Sequence, residues 1–200
     1  MIWFKRLSFF STFLTLCVVV FGAYVRLTDA GLGCPDWPGC FGTLSVPESV
    51  EAIAQANNMY PDSIVEVGKA WREMIHRYLA GGLGLLIAVL SFLSIKYRHQ
   101  LEVPLYLPLF LVVLVSFQAA LGMWTVTELL KPAIVSLHLI GGMTILGLLT
   151  YITHRQFGTT GLIVKKNLFL IARFAILLLF IQILLGGWTS TNYAALACTD

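Results

Sequence analysis

The chain has 200 residues, of which 58% are hydrophobic and only 12% are charged, and its formal net charge is +3. A soluble domain normally carries about 25% charged residues. This composition, with a mean hydropathy of +0.84, therefore excludes an ordinary soluble protein. It indicates an integral membrane protein embedded in a lipid bilayer, for which we expect no nucleic-acid partner.

Five apolar runs approach the length of about 20 residues that a membrane-spanning helix needs. They are Leu7–Val25, Tyr78–Ile95, Val103–Thr127, Pro132–Thr153 and Phe174–Thr191. The first run exceeds the length of about 7–15 residues typical of a signal-peptide core, so a retained helix is favoured over a cleaved signal. The sequence therefore predicts an all-α polytopic membrane protein.

The first four spans are expected to form one four-helix transmembrane bundle within residues 1–160. The predicted helices are 7–25, 74–95, 103–127 and 132–153, with an outer loop at 26–72. Residues 161–200 are expected to contain an inner loop, the fifth helix and the start of a second, pseudo-symmetric bundle.

An internal similarity is the reason for expecting a second bundle. The segments 22–36 and 186–200 align with five identities, which pair Gly22 with Gly186, Ala30 with Ala194, Leu32 with Leu196, Cys34 with Cys198 and Asp36 with Asp200. Both segments follow a predicted span of the same direction, and membrane proteins are often built from such repeats. We therefore expect the chain to show one half and the beginning of the other half of a four-plus-four protein, against the alternative of chance similarity.

Basic residues orient the spans. They occur at alternate ends, as Lys5, Arg6, Lys96, Arg98, Arg155, Lys165 and Lys166. The positive-inside rule assigns these ends to the cytoplasm. The amino terminus is then cytoplasmic, and the loop at 26–72 lies outside.

Two cysteines bracket the outer stretch "GLGCPDWPGCFG" at residues 31–42. Cys34 and Cys40 would face an oxidising compartment, where a disulfide persists, and two prolines bend the chain between them. A disulfide is favoured over two free thiols, while zinc is disfavoured because the loop contains no further cysteine or histidine. Cys17, in the middle of the first span, is interpreted as a small apolar residue.

Two of the four histidines lie inside predicted spans, where an ionisable side chain is a functional hypothesis by default. His76 is about one turn into the second helix and His138 about two turns into the fourth, so both lie roughly 5–10 Å below the outer surface at 1.5 Å per residue. Such a pair can ligate a haem iron between helices. The glycines near His138 would let a flat macrocycle approach, although glycine also serves close helix packing, and a buried histidine can be a simple hydrogen-bond partner. His99 and His154 are expected to be solvated at the cytoplasmic ends.

Glu73 and Arg77 flank His76 in the same predicted helix. Glu73 is either a general base beside a bound substrate or an acidic residue favoured by the helix dipole in the first turn. Arg77 either pairs with a haem propionate or extends to the membrane interface. The residues themselves leave these alternatives open.

Four stretches resemble a known family. "GAYVRLTDAGLGCPDWPGCFG", "EMIHRYLAG", "QAALGMWTVT" and "SLHLIGGM" are similar, in order, to the amino-terminal half of the haem A synthases, the membrane enzymes that make the haem A of cytochrome oxidases. The segment 186–200 resembles the start of the family's second half. The cysteine-containing outer loop resembles the bacterial type.

The resemblance implies an eight-helix protein in which each half carries a histidine pair. Here His76 and His138 would hold the substrate haem O, whose methyl group is oxidised to a formyl group through hydroxylated intermediates. Glu73 is implicated in that chemistry, and Cys34 and Cys40 in a disulfide. A haem B cofactor would bind in the other half, whose histidines are absent from these residues.

The resemblance also implies a setting in the bacterial plasma membrane, with haem O synthase and cytochrome oxidase assembly proteins as partners. The alternatives are a bis-histidine, cytochrome b-like electron carrier and a haem-binding assembly factor. All three would bind haem, but only the synthase converts haem O. The polar outer segment 48–62 is expected to be partly helical and has no assigned chemistry.

Overall fold

The computed structural model describes residues 2–158 and 166–194, and these residues form six helices. The helices are α1 (Ile2–Leu27), α2 (Val50–Met59), α3 (Val67–Lys96), α4 (Tyr106–Thr127), α5 (Pro132–Phe157) and α6 (Lys166–Thr191). All except α2 are long and apolar enough to cross a membrane. The predicted all-α polytopic fold with five spans is therefore confirmed.

Four of the five spanning helices extend beyond the apolar runs that predicted them, whereas α4 begins at Tyr106, three residues after the start of its run. Helix α1 begins at Ile2 and α3 at Val67, so the first turns of α3 occupy what the sequence assigned to the outer loop. Hydropathy marks only the part of a helix that lies in the lipid. Helical hydrogen bonding can continue beyond that part, so a helix can be longer than its apolar run. At the start of α3, the backbone N–H groups of Lys69 and Ala70 donate to the carbonyl of Glu66.

Four of the spanning helices form a bundle with two diagonal pairs. Helix α1 packs against α3 and α5, and α4 packs against the same two helices. Within the described residues, the backbones of α1 and α4, and those of α3 and α5, do not come close to each other. Helices α3 and α5, which carry His76 and His138, therefore face each other across the bundle.

Two apolar clusters lie at different levels of the bundle. One, away from the long loop that contains α2, includes Phe4, Ile87, Leu90, Leu149 and Ile152. The other packs the disulfide loop and α2 onto the beginning of α3. His76 and His138 belong to neither cluster, and they mark a level between the two that we call the histidine layer. We call the end of the bundle that carries the long loop the loop end.

Helix α6 packs along α5, outside the bundle, and near its end it also meets α1, because Arg26 donates a hydrogen bond to the backbone carbonyl of Ser190 at 2.8 Å. It ends at Thr191, which aligns with Leu27, the last residue of α1, in the internal similarity. Lys165, Leu196, Cys198 and Asp200 lie outside the described residues. The second repeat and the domain division near residue 160 therefore stay predictions.

Candidate functional site

The disulfide predicted in the outer loop is present. Cys34 and Cys40 are bonded and fully buried. Asp36 organises the loop between them, because its carboxylate accepts hydrogen bonds from the backbone N–H of Phe41 at 2.7 Å and of Gly42 at 2.8 Å. Cys17 is a free thiol, as expected.

Glu73 binds this loop directly. One carboxylate oxygen accepts a hydrogen bond from the backbone N–H of Cys34 at 2.9 Å, and the other accepts from the guanidinium of Arg77, one turn further along α3. The Glu73 residue is only 5% exposed. The loop lies tightly against α3 here, because a Cβ at Gly33 would lie 2.6 Å from the backbone of Lys69. Glu73 thus joins the disulfide loop to the helix that carries His76.

Arg77 completes this junction. Its Nη1 donates to the backbone carbonyls of Asp36 at 2.9 Å and Pro38 at 3.4 Å, and also to that of Gly39. Its Nη2 donates to Glu73. The donors at the tip of Arg77 are therefore held by the loop and by Glu73.

The ring of His76 lies against α1. A Cβ at Gly22 would lie 2.8 Å from Cε1 and 3.3 Å from Nε2 of the ring, so the ring occupies space that only a glycine leaves free. The ring of Phe21 stacks on it at 6.4 Å between centroids. The Nδ1 atom of His76 is buried without a hydrogen-bond partner in the described part of the chain.

The ring of His138 lies against α4. A Cβ at Gly122 would lie 3.6 Å from its Cε1 atom, which is ordinary contact. Its Nδ1 is also buried, and no hydrogen-bond partner for it exists in residues 2–158 and 166–194. Both imidazoles therefore have a buried Nδ1 atom without a hydrogen-bond partner among the described residues.

The two imidazoles lie at similar levels. Val19, one turn from Gly22 on α1, is 3.8 Å from the position of a Cβ at Gly142, which is one turn beyond His138 on α5. Val19 and Gly142 thus lie at one level, one turn from Gly22, which contacts the His76 ring, and one turn from His138. The two imidazoles are therefore at similar levels as well. The other two histidines lie elsewhere: His99 is exposed beside Arg98, and His154 is exposed in the last turn of α5.

One glycine near His138 does not offer the expected approach for a macrocycle. A Cβ at Gly141 would overlap the side-chain amide of Gln118, which reaches across from α4. Gly141 therefore serves close packing between helices, the alternative left open by the sequence. Gly142 has only Val19 nearby.

Gln118 is the site residue that the sequence analysis did not single out. It is 7% exposed, and its amide nitrogen is buried with no partner among the described residues. A signal was available, because Gln118 is an amide in the middle of a span and opens the stretch "QAALGMWTVT".

The donor set fits a haem better than a bare ion. Within the described residues, no group of three or more His, Cys, Asp or Glu side chains could hold a metal ion. Two imidazoles suffice for a haem iron, since the macrocycle supplies the remaining ligands. The unpaired buried ring nitrogens and the glycine at 22 are consistent with a site for such a planar group.

The comparisons with known proteins agree with the motifs. The family described as cytochrome oxidase assembly protein, COX15-CtaA, matches residues 5–200. A haem A synthase of Shewanella oneidensis is 50% identical over 188 residues, which cover 92% of this chain and 56% of the relative. One from Oceanobacillus iheyensis is 30% identical over 146 residues, covering 73% of this chain and 42% of the relative. One from Bacillus cereus is 28% identical over 204 residues, covering 98% and 60%.

No solved structure matches the chain. The chain spans about half the length of the curated relatives it matches, between 42% and 60% of the three described. The family match nevertheless extends over nearly all of the chain. This chain therefore belongs to the cytochrome oxidase assembly protein family.

Proposed function

We propose that this protein acts as a haem A synthase, which oxidises a methyl group of haem O to the formyl group of haem A. The relatives described above carry that name. The observation that carries the proposal is the pair of buried imidazoles, His76 and His138, on diagonal helices at one level of the bundle. A buried polar atom without a partner costs about 1–3 kcal/mol, a cost that a histidine kept only for packing would not offset.

We propose that His76 and His138 bind the iron of haem O from opposite sides. The backbones of their helices are separated across the bundle, so the two side chains approach each other through its interior. Helices facing each other across a bundle are a usual origin of cofactor ligands. The two apolar clusters lie on either side of this level, and neither histidine belongs to them.

Removing electrons from a methyl group requires a redox group, since side chains cannot do this chemistry alone. We propose a haem B as that group, bound by residues other than those of this chain. The role of the residues described here is then to hold haem O and to accept protons as its methyl group is oxidised.

We propose Glu73 as the proton acceptor. It lies three residues before His76, and its buried carboxylate is held beside the guanidinium of Arg77. General bases of this kind work when they are positioned next to the reacting group. Because the same carboxylate binds the N–H of Cys34, proton transfer and the placement of the disulfide loop depend on one side chain.

We propose that Arg77 attracts the haem propionates to the loop end of the bundle. Its Nη1 and Nη2 atoms bind the loop and Glu73, which holds the guanidinium at this end. Charge-assisted hydrogen bonds from guanidinium groups are the usual recognition of such carboxylates.

We propose that the protein lies in a bacterial plasma membrane with its amino terminus in the cytoplasm. Lys5, Lys96 and Arg155 lie at the end of the bundle opposite the disulfide loop, as the positive-inside rule requires. A haem O synthase that delivers the substrate and cytochrome oxidase assembly proteins that receive the product are the partners proposed.

A chimaera tests the function. The chain replaces the matching 188-residue segment of the Shewanella oneidensis relative, and the chimaera is produced in a bacterium that makes haem O but lacks haem A synthase. We expect haem A in extracts of its membranes, and haem O alone for His76→Ala or His138→Ala, with His99→Ala as the matched control. An electron carrier would bind haem and form no haem A. Normal haem A from both variants would overturn the assignment of the site.

A further inference from the structure

The side-chain Nε2 atom of Gln118 has no hydrogen-bond partner among the described residues. Gln118 lies on α4 in the bundle interior, and this atom is buried. The buried hydroxyl groups of Thr15, Ser91 and Ser94 each donate to a backbone carbonyl, whereas those of Ser11 and Ser136 also have no partner in the described part of the chain. The Gln118 amide has no such bond, and an apolar side chain of the same shape would avoid the cost of about 1–3 kcal/mol.

The amide lies beside the proposed haem ligand His138. Gly122, one turn along α4 from Gln118, contacts the His138 ring, and the amide fills the space over Gly141, one turn beyond His138 on α5. Gln118 precedes Gly122 by four residues, so it lies about 6 Å further from the loop end at 1.5 Å per residue. This offset places it near the edge of a macrocycle whose iron is at His138.

The chemistry of haem O indicates which group meets that edge. Haem O carries two propionates on one edge, and on the opposite edge it carries a hydroxyl-bearing isoprenoid chain where haem B has a vinyl group. The charged propionates belong at the loop end, where Arg77 lies. The edge with the hydroxyl group then points away from the loop end, toward Gln118.

We propose that Gln118 is a specificity-determining residue whose amide donates a hydrogen bond to the hydroxyl group of the haem O side chain. The site then selects haem O over haem B. This inference rests on the proposed function, because it assumes that haem O binds between His76 and His138. A buried polar group that binds a substrate hydroxyl group discriminates against an analogue that lacks this hydroxyl, because the protein group then has no hydrogen-bond partner.

The experiment is a binding comparison that does not depend on turnover. The full chain is purified in detergent, and haem O and haem B are each titrated while the low-spin absorption spectrum is recorded. The variants are Gln118→Met, which keeps the length of the side chain, and Gln118→Leu. The matched control is Gln156→Met, since Gln156 is 3% exposed on α5 and neither of its amide atoms has a partner among the described residues. Gln156 lies one residue before the last residue of the helix, far from the histidine layer.

We expect the affinity of both Gln118 variants for haem O to fall about tenfold. This loss corresponds to about 1.4 kcal/mol, the free energy of one hydrogen bond. Their affinity for haem B should be unchanged, and Gln156→Met should alter neither. An equal loss for both haems, or unchanged preference in both Gln118 variants, would overturn the role of Gln118.

The same titration separates this inference from the proposed function. If His76→Ala and His138→Ala bind both haems as the unaltered chain does, the proposed haem site itself fails. If haem binding requires both histidines while the Gln118 variants keep full preference for haem O, only the role of Gln118 fails.

Discussion

At the scale of single residues, Gly22 decides where the His76 ring can lie. A methyl group at this position would lie 2.8 Å from the ring, so Gly22→Ala must displace the imidazole. We expect haem affinity to fall about tenfold, or about 1.4 kcal/mol, in a spectroscopic titration of the chain. The control is Gly147→Ala on α5, where a Cβ would meet nothing within 4 Å.

Both substitutions raise intrinsic helix stability by a similar amount, about 1 kcal/mol. A general effect on helix formation would therefore appear in both variants. Equal haem affinity in Gly22→Ala and Gly147→Ala would contradict the contact between Gly22 and His76.

Glu73 combines a structural and a chemical role at the same scale. In the chimaera, we expect Glu73→Gln to bind haem but to accumulate haem O or a hydroxylated intermediate, because a general base contributes about 10²–10⁴-fold to rate. The amide still offers an oxygen to the N–H of Cys34. Chromatography of extracted haems measures the outcome.

The control for Glu73→Gln is Arg77→Gln, which breaks the same ion pair but leaves the carboxylate in place. If both variants accumulate the same haems to the same extent, the reaction depends on the ion pair and not on Glu73 as a base. Normal haem A yield from Glu73→Gln would return this residue to a purely structural role.

At the scale of structural elements, the disulfide loop and the first turns of α3 form one unit. The backbone of Cys34 and the carbonyls of Asp36 and Pro38 all bind side chains of α3. We expect Cys34→Ser with Cys40→Ser to destabilise this unit by about 2–4 kcal/mol, seen as faster hydrogen exchange in the loop and at the start of α3. Exchange in α4 should be unaffected.

The bond itself is checked by mass spectrometry of a non-reduced digest, which should contain peptides linked through Cys34 and Cys40. Cys17→Ala is the control, since Cys17 is a free thiol on α1 and should not alter exchange in the loop. Unchanged loop exchange in the double variant would show that the contacts with Glu73 and Arg77 hold the loop without the disulfide.

At the scale of the whole molecule, the proposed orientation in the membrane is based on the basic residues at one end of the bundle. In a background that carries both Cys17→Ala and Cys198→Ala, we expect Met59→Cys to react with a membrane-impermeant maleimide added to intact cells whose outer membrane is permeable to the reagent. His99→Cys should react only after the inner membrane is opened. Both positions are exposed, so accessibility within the protein is matched. The reverse pattern would place the disulfide loop in the cytoplasm.

The sequence by itself determined the membrane setting, the number of spans, the disulfide and the levels of His76 and His138. These features follow from local properties. Hydropathy and length decide whether a segment crosses the bilayer, because a spanning helix satisfies its own backbone hydrogen bonds. Counting residues from the end of a helix then places a side chain by depth.

Only the tertiary structure decided which helices face each other and what each side chain meets. Gly22, not Gly141, receives a histidine ring, and Gln118 fills the space over Gly141. Glu73 and Arg77 bind the loop, a contact between residues separated by 38 to 41 positions that no helical periodicity reveals. The physical reason is that helices in a membrane associate through shape and close packing of particular side chains, since apolar residues alone do not distinguish a neighbouring helix from lipid.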